Sequence, residues 1–318
     1  MSWDSILGQE VATRVLRAHL ADGRVAPAYL LAGPDGVGKR LVALAMAKSL
    51  NCTASGPRPC DACPTCVQIG RGTHPDVHVL SPAGASEAIR IEAIRQLLGR
   101  IALLPFNAAF QVAIIDGAEC LTEEAANSLL KALEEPPAHT RFLLTTARRS
   151  DCLPTIVSRC QLVRCRPLPT AAIARLLAEQ QRCAPDAARA IAALAAGSAS
   201  LALELAGRWA SREELVARLA SPRVSAWLER PLPETRQEVA WLLEEMIMWL
   251  RNALVEAAGQ PSQAVPLDRC VETALGLVSL RESLDQFVSP RLVASFAREK
   301  WLSLSDEWRV TSGEHGKT

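Results

Sequence analysis

The residues most able to do chemistry form a glycine-rich loop near the amino end of the chain, Gly33-Pro34-Asp35-Gly36-Val37-Gly38-Lys39. The glycines would let backbone N–H groups curl around phosphate oxygens, and the helix expected next would present its positive end to them. Lys39 would reach the terminal phosphates of a nucleotide. An apolar run, 28–32, precedes the loop, so the motif lies between a strand and a helix, as phosphate binding requires. The pattern predicts a nucleotide-type site that could take ATP or ADP.

Two positions around this loop depart from what a nucleotide hydrolase needs. Arg40 stands where Ser or Thr would hold magnesium, and arginine cannot coordinate a cation. Asp116 ends an apolar run and could contact the cation or its waters, but the next position, where a glutamate would activate water, is Gly117. Glu119 comes two residues too late and is expected to be a helix-entry or surface acid. Efficient hydrolysis by this chain is therefore not expected.

Four of the ten cysteines cluster at metal-ligand spacing after the first helix of this region: Cys52, Cys60, Cys63 and Cys66. Four thiolates in a reducing compartment predict a closed tetrahedral zinc site, which could fold an insertion with little core. A disulfide framework does not suit that compartment. An iron–sulfur cluster is a weaker alternative, because Gly70 stands where the bacterial cluster run has its fourth cysteine. Another alternative is that the insertion is a zinc-dependent nucleic-acid-binding module that uses Arg58 and Arg71, although aromatic residues for base stacking are scarce in it.

Composition narrows the class of protein. Of 318 residues, 49% are hydrophobic and 22% charged, as in ordinary globular proteins, and the net charge of +1 gives no global attraction to nucleic acid. The first residues, 1–5, have no basic segment followed by an apolar one, so no export signal is expected. The most apolar stretch, 241–250, is far shorter than the roughly 20 residues of a membrane span. We expect a cytoplasmic protein with reduced cysteines and no membrane partner.

The order of patterns predicts an α/β domain followed by helices. Strands are expected at 28–32, 77–80, 112–116, 142–146 and 161–164, and helices between them at 39–50, 88–103 and 123–135. Thr122 should cap the last of these helices, and Pro136-Pro137 should stop it. Arg166–Pro169 forms a linker, after which three short helices to about residue 207 and a second helical region are expected.

The segment Leu153–Cys160 places an arginine at the end of a short helix. Pro154 suits the first turn of that helix, and Arg159 would lie at its exposed end. An isolated arginine of this kind is most simply a surface salt-bridge residue. An arginine aimed at another subunit's γ-phosphate, by contrast, can contribute about 10³–10⁵ in rate.

Taken together, these segments resemble the bacterial DNA polymerase III clamp-loader subunits of the AAA+ family. The resemblance covers about the first 210 residues and rests on ordered matches, namely Ile6-Leu7-Gly8-Gln9, the glycine-rich loop, the four-cysteine insertion, His74-Pro75-Asp76, Asn127–Pro137, Thr145-Thr146 and Ser158-Arg159-Cys160. It implies a P-loop α/β (RecA-like parallel sheet) domain at 1–166 with a zinc-binding insertion at about 51–70. A small helical lid at 167–208 and an all-α collar domain for oligomerisation at 209–318 would follow. It also implies that Thr146 belongs to the nucleotide site.

Departures from the family pattern indicate which kind of member this is. Hydrolysing subunits keep the residues missing at Arg40 and Gly117, and carry a lid arginine where this chain has Ser200. The Ser158-Arg159 pair is nevertheless kept. The resemblance thus implies a largely non-hydrolysing subunit of the holoenzyme, in a ring-like pentamer with gamma/tau and delta subunits. It would supply Arg159 in trans while the complex loads the sliding clamp onto primer–template DNA. The alternative is an ATP-hydrolysing, gamma/tau-like subunit.

Overall fold

A computed structural model describes residues 3–82, 88–180, 182–219, 231–259, 267–286 and 288–311. The chain divides into two compact units, an amino-terminal unit at 1–207 and a carboxy-terminal unit at 208–318. The expected division of the first unit near residue 166, into an α/β domain and a lid, stays a prediction.

The amino-terminal unit is built on five parallel strands in the order β2-β3-β4-β1-β5. The strands are β1 (Ala28–Ala32), β2 (Val77–Leu80), β3 (Gln111–Ile115), β4 (Thr140–Thr146) and β5 (Gln161–Arg164). Every residue of β3 is buried, as a parallel sheet covered on both faces requires. The predicted P-loop α/β fold class with a helical carboxy-terminal region is confirmed, and the predicted strands differ from these by at most two residues at an end.

Nine helices of this unit lie in the part of the chain that the structure describes: α1 (Glu10–Ala21), α2 (Lys39–Asn51), α3 (Pro64–Arg71), α4 (Ile91–Ile101), α5 (Glu123–Glu134), α6 (Pro154–Arg159), α7 (Thr170–Glu179), α8 (Pro185–Leu194) and α9 (Ala199–Gly207). The predicted cap of α5 is confirmed, because Thr122 Oγ1 accepts from the N–H of Ala125 at 3.3 Å. Helix α4 is shorter than predicted at both ends. It begins after Ile89, which bridges to Leu121 in extended conformation.

Strand order decides which loops meet. Strand β4 lies between β1 and β3, with Leu144 paired to Leu30 and Ile115. Because the strands are parallel, the residues that follow β1, β3 and β4 come together at one edge of the sheet. This brings the glycine-rich loop beside Asp116.

The His74-Pro75-Asp76 motif holds a loop on the sheet. The Asp76 side chain is 1% exposed. Its carboxylate accepts from the N–H groups of Phe106 (2.7 Å), Asn107 (3.0 Å) and Ala108 (3.0 Å), and from the Gln111 amide (3.2 Å). The motif therefore fixes the connection between α4 and β3.

In the carboxy-terminal unit the described helices are α10 (Trp209–Leu219), α11 (Arg236–Gly259), α12 (Leu267–Asp285) and α13 (Pro290–Thr311). Leu243, Met246, Leu277 and Trp301 are among the residues of its core. Arg212 Nε and Glu245 Oε2 form a buried ion pair there at 2.8 Å. Among the described helices of the chain, none has the length and apolar character needed to cross a bilayer.

Candidate nucleotide and metal sites

The glycine-rich loop borders a cavity at the carboxyl edge of the sheet. The loop joins β1 to α2, and its last glycine, Gly38, has φ +97°, a conformation that favours glycine. The cavity has a volume of about 780 Å³, within the usual range for a small-molecule site. Its other walls include Asp116, Thr145, Leu168 and Leu203. The space is thus large enough for a nucleotide, and the polar groups decide what it can do.

Lys39 is folded back onto its own loop. Its Nζ donates to the carbonyl oxygens of Gly33 (2.7 Å) and Pro34 (2.8 Å), and to Asp35 Oδ1 (3.3 Å). The residue is only 8% exposed. Since an ammonium group has three donors, all of them are used within the loop. Binding a phosphate through Lys39 would require these hydrogen bonds to break.

Arg40 occupies the place of the missing magnesium ligand with a positive charge. Its Nη1 lies 3.5 Å from Asp116 Oδ2 and 3.4 Å from Ser81 Oγ. The other oxygen of Asp116 accepts from Thr145 Oγ1 at 2.7 Å. The acid that would bind a cation or its waters is therefore paired with a guanidinium of this same chain.

The start of α9 covers the loop directly. The N–H groups of Ala199 and Ser200 donate to the carbonyl of Gly36 at 2.9 and 3.4 Å. Gly36 has φ +71°, and a Cβ there would lie 2.9 Å from Ser200 Cβ and 3.1 Å from Ser200 N, so this contact favours glycine. The N–H groups at the positive end of α9, which could otherwise face a phosphate, are thus partly satisfied by the loop itself.

Gly117 and Glu119, which follow Asp116, form hydrogen bonds that join the end of β3 to the end of β4. Gly117 carries no carboxylate, and its N–H donates to Thr145 Oγ1 at 3.0 Å. Glu119, expected to be a helix-entry or surface acid, lies in a short 3-10 helix and is partly buried. Its Oε1 accepts from the N–H of Ala147 at 2.7 Å. This contact ties the turn after β3 to the end of β4.

Of the two threonines that end β4, Thr145 lines the cavity. Thr146, which the sequence assigned to the nucleotide site, is fully buried, and its hydroxyl donates to the carbonyl of Arg148 at 3.0 Å. Consecutive strand residues point to opposite faces, so only one of the pair can face a given site. The family resemblance assigns Thr146 and not Thr145 to the site, and the alternation along β4 is the signal that could have separated them.

Gln9, from the Ile6-Leu7-Gly8-Gln9 motif, links the loop to the linker that follows β5. It is 2% exposed. Its amide nitrogen donates to Val37 O (3.0 Å) and Arg166 O (2.6 Å), and its oxygen accepts from the N–H of Arg166 (2.9 Å). The motif therefore supports the loop through the backbone.

Arg159 ends α6, as predicted, and is held by neighbouring acceptors. Nη2 is paired with Glu134 Oε1, and Nη1 lies 3.0 Å from Thr155 O and 3.4 Å from Ser158 Oγ. The Ser158 hydroxyl itself donates to Thr155 O at 3.0 Å. The Arg159 side chain is 32% exposed. It is accessible to a partner, while its guanidinium already has a defined orientation.

The four predicted cysteines come together. The sulfur atoms of Cys52, Cys60, Cys63 and Cys66 all lie within 4.8 Å of one another, and theirs is the metal-ligating cluster found in the described part of the chain. Zn–S bonds of about 2.3 Å place the sulfurs of a tetrahedron about 3.8 Å apart, so this donor set suits zinc. Cys63 caps α3, and Lys48 pairs with Asp61 at 2.6 Å, joining the insertion to α2.

The thiols of this cluster do not ionise alike. Burial raises the pKa of Cys63, but hydrogen bonds from the N–H groups of Cys66 and Thr53 outweigh it and bring the pKa to about 6. Burial and the neighbouring thiols raise the pKa of Cys66 to about 12. A bound cation would favour the thiolate form of all four residues.

Comparisons with known proteins establish the family. A family model described as "DNA polymerase III, delta subunit" matches residues 8–169, just over half of the chain. A DNA polymerase III subunit delta' from Pseudomonas aeruginosa is 36% identical over 250 residues, covering 73% of this chain and 72% of that protein. The chain belongs to the DNA polymerase III delta' family. A delta' subunit from Bacillus subtilis is 37% identical over 60% of this chain and 58% of that protein.

Related subunits and solved structures share shorter or more distant similarity with this delta' family member. DNA polymerase III subunit tau from Salmonella typhimurium is 39% identical over 49% of this chain and 24% of that protein. A DNA polymerase III gamma subunit-related protein from Thermotoga maritima, a solved structure, is 18% identical with a TM-score of 0.48, covering 91% of this chain and 99% of that one. The similarity to tau reflects membership of the same wider family and does not by itself support the alternative of an ATP-hydrolysing, gamma/tau-like subunit.

Proposed function

We propose that this chain is a largely non-hydrolysing clamp-loader subunit of DNA polymerase III that supplies Arg159 in trans to a neighbouring ATPase subunit. Membership of the delta' family supports the clamp-loader role. The observation that carries the non-hydrolysing part is the pairing of Arg40 with Asp116 at 3.5 Å. The proposed partners are gamma/tau and delta subunits, with the sliding clamp and primer–template DNA reached through the complex. The proposal includes the cytoplasmic location that the sequence led us to expect.

The electrostatics at Asp116 support this assignment. Magnesium at a nucleotide site needs oxygen ligands, and the hydroxyl that would provide one is replaced by the guanidinium of Arg40. A guanidinium beside Asp116 repels a second cation at the same place. Gly117 adds no base for a water molecule. ATP or ADP entering this cavity would therefore be bound without an assembled metal and base.

The isolated chain tests the first half of the proposal. Purified protein should show no ATP turnover above background, and its affinity for labelled ATP and ADP should not depend on magnesium. Steady hydrolysis that Lys39→Ala abolishes would contradict this, and would support the ATP-hydrolysing, gamma/tau-like alternative.

The reconstituted complex tests the second half. An arginine acting in trans contributes about 10³–10⁵ in rate, so Arg159→Ala should remove the neighbouring site from the fast phase of DNA-stimulated single-turnover hydrolysis. Arg189→Ala is the control, because Arg189 is also exposed and ion-paired, with Asp186. A fast phase of unchanged amplitude in the Arg159→Ala complex would overturn the role in trans.

The cysteine cluster supports a structural zinc ion. It would be held by Cys52, Cys60, Cys63 and Cys66, and it would stabilise the fold of the insertion around α3. One zinc per chain is expected by elemental analysis, with loss of the metal and of amide protection over 52–71 in Cys63→Ser. Absence of zinc from protein purified without chelators would contradict this assignment. Salt-sensitive DNA binding by the chain, lost in Cys60→Ser, would instead favour the nucleic-acid-binding alternative.

A further inference from the structure

Glu134 stands at an electrostatically unfavourable position. It is the last residue of α5, and Glu135 follows it. The carboxyl end of a helix carries partial negative charge, which disfavours acidic side chains. The last turn of α5 contains one basic residue, Lys131, but the cation that contacts Glu134 is Arg159 of the next helix, through Nη2. The negative end of the helix therefore disfavours an acid at this position, whereas the contact with Arg159 favours one.

The contacts of Arg159 leave part of its guanidinium available. An arginine side chain has five N–H donors in a fixed fork. In the contacts of the described residues, Nη1 faces Thr155 O and Ser158 Oγ, and one donor of Nη2 faces Glu134. The N–H of Nε and the second N–H of Nη2 are not used by these contacts. Free donors on a guanidinium suit the oxygens of a phosphate.

Both helices that carry this pair are anchored in one core. Leu129 and Leu133 of α5 are buried in the same cluster as Ile156 of α6. The backbones of Glu134 and Arg159 are thus held at a fixed separation by packed elements, and the ion pair joins their side chains. A guanidinium restrained in this way loses less orientational freedom when it meets a ligand, which is the basis of preorganised catalysis.

We propose that Glu134 is the positioning residue of Arg159. This inference rests on the proposed role of Arg159 in trans. Glu134 orients the guanidinium before the neighbouring subunit's nucleotide arrives, so that the two remaining donors reach the γ-phosphate together. The pair is partly exposed, with side chains 32% and 48% accessible, so its contribution to stability is small. Its effect should therefore appear in the rate of hydrolysis and not in the folding of the chain.

The test compares Glu134→Gln, Glu134→Asp and the adjacent control Glu135→Gln in the reconstituted complex. Misplacing a catalytic group by about 1 Å can cost about 10²-fold in rate, so Glu134→Gln should lower kcat at the neighbouring site by about 5- to 100-fold. KM for ATP should stay unchanged, because an interaction made only in the transition state is weakened. Glu134→Asp keeps the charge and should restore part of the rate, and Glu135→Gln should match the unaltered complex.

A double variant shows whether Glu134 acts through Arg159. Glu134→Gln should cause no further loss in an Arg159→Ala background. A rate at or above the unaltered one in Glu134→Gln, with Arg159→Ala still impaired, would overturn the inference and leave the proposed function standing. No loss in either variant would overturn both. Recovery of the intact complex by gel filtration is the control for assembly. If Glu134→Gln assembles poorly, Glu134→Asp takes its place, and a rate equal to the unaltered one would then overturn the inference.

Discussion

Asp76 should be the most sensitive polar residue of the amino-terminal unit. Its Oδ1 accepts from Phe106 N and Gln111 Nε2, and its Oδ2 from Asn107 N and Ala108 N. In Asp76→Asn one oxygen remains, and the new NH₂ group must face one pair of donors. Two hydrogen bonds to a charged group are lost if this NH₂ faces Asn107 and Ala108. One is lost if it faces Phe106 and Gln111, because the Gln111 amide can turn and accept through its unpaired Oε1. Each contributes about 1.5–3 kcal/mol, so the change should cost about 1.5–6 kcal/mol.

A loss of this size is large beside the usual stability of about 5–15 kcal/mol for a native protein. Urea unfolding followed by circular dichroism should show an earlier transition in Asp76→Asn. Because the chain has two units and need not unfold in one step, hydrogen exchange over 102–111 should localise the loss. Asp22→Asn is the matched control, since Asp22 is exposed at the end of α1, and its effect should stay within about 0.5 kcal/mol.

The result that would refute this reasoning is a normal unfolding midpoint with normal exchange over 102–111 in Asp76→Asn. It would mean that the connection between α4 and β3 is held by its own backbone or by packing. An effect equal to that of Asp22→Asn would lead to the same conclusion.

Burial lowers the pKa of both His74 and His78. The unfolded chain therefore binds protons more readily than the folded one, and the free energy of unfolding of the amino-terminal unit should decrease as pH falls below about 6.5. Urea midpoints at pH 7.5 and 5.5 should show this, and an equal pH dependence in a His74→Gln, His78→Gln double variant would contradict it. In the carboxy-terminal unit, Glu245→Ala should lower the free energy of unfolding by about 3–5 kcal/mol, because it leaves the Arg212 charge buried without its carboxylate. Joint replacement by Arg212→Met and Glu245→Leu should recover most of this loss, as thermal unfolding would show. Equal loss in the single and double variants would contradict this. Lys39→Met should speed amide hydrogen exchange in the glycine-rich loop and leave the affinity for ADP unchanged. A large loss of affinity would show that Lys39 leaves its carbonyl partners to bind phosphate.

Local patterns in the sequence were sufficient to predict the five strands and most of the helices, whereas α1 and α3 were not predicted. The apolar runs that became β1, β2 and β5 have the predicted bounds, and Thr122 with the following acids marks the start of α5. These signals are local, because strand and helix periodicity, caps and prolines act over a few residues. The spacing of the four cysteines was equally informative, since ligands only 3 to 8 residues apart can converge with little help from the rest of the fold.

Which side chains meet was decided only by the tertiary structure. Arg40 and Asp116 are 76 residues apart, and they pair because β4 places the ends of β1 and β3 at one edge of the sheet. The return of Lys39 to its own loop and the contact between Gly36 and the start of α9 likewise depend on three-dimensional placement. The types of residue at the site follow from the sequence, whereas their partners depend on strand order and rotamers, which sequence spacing does not specify.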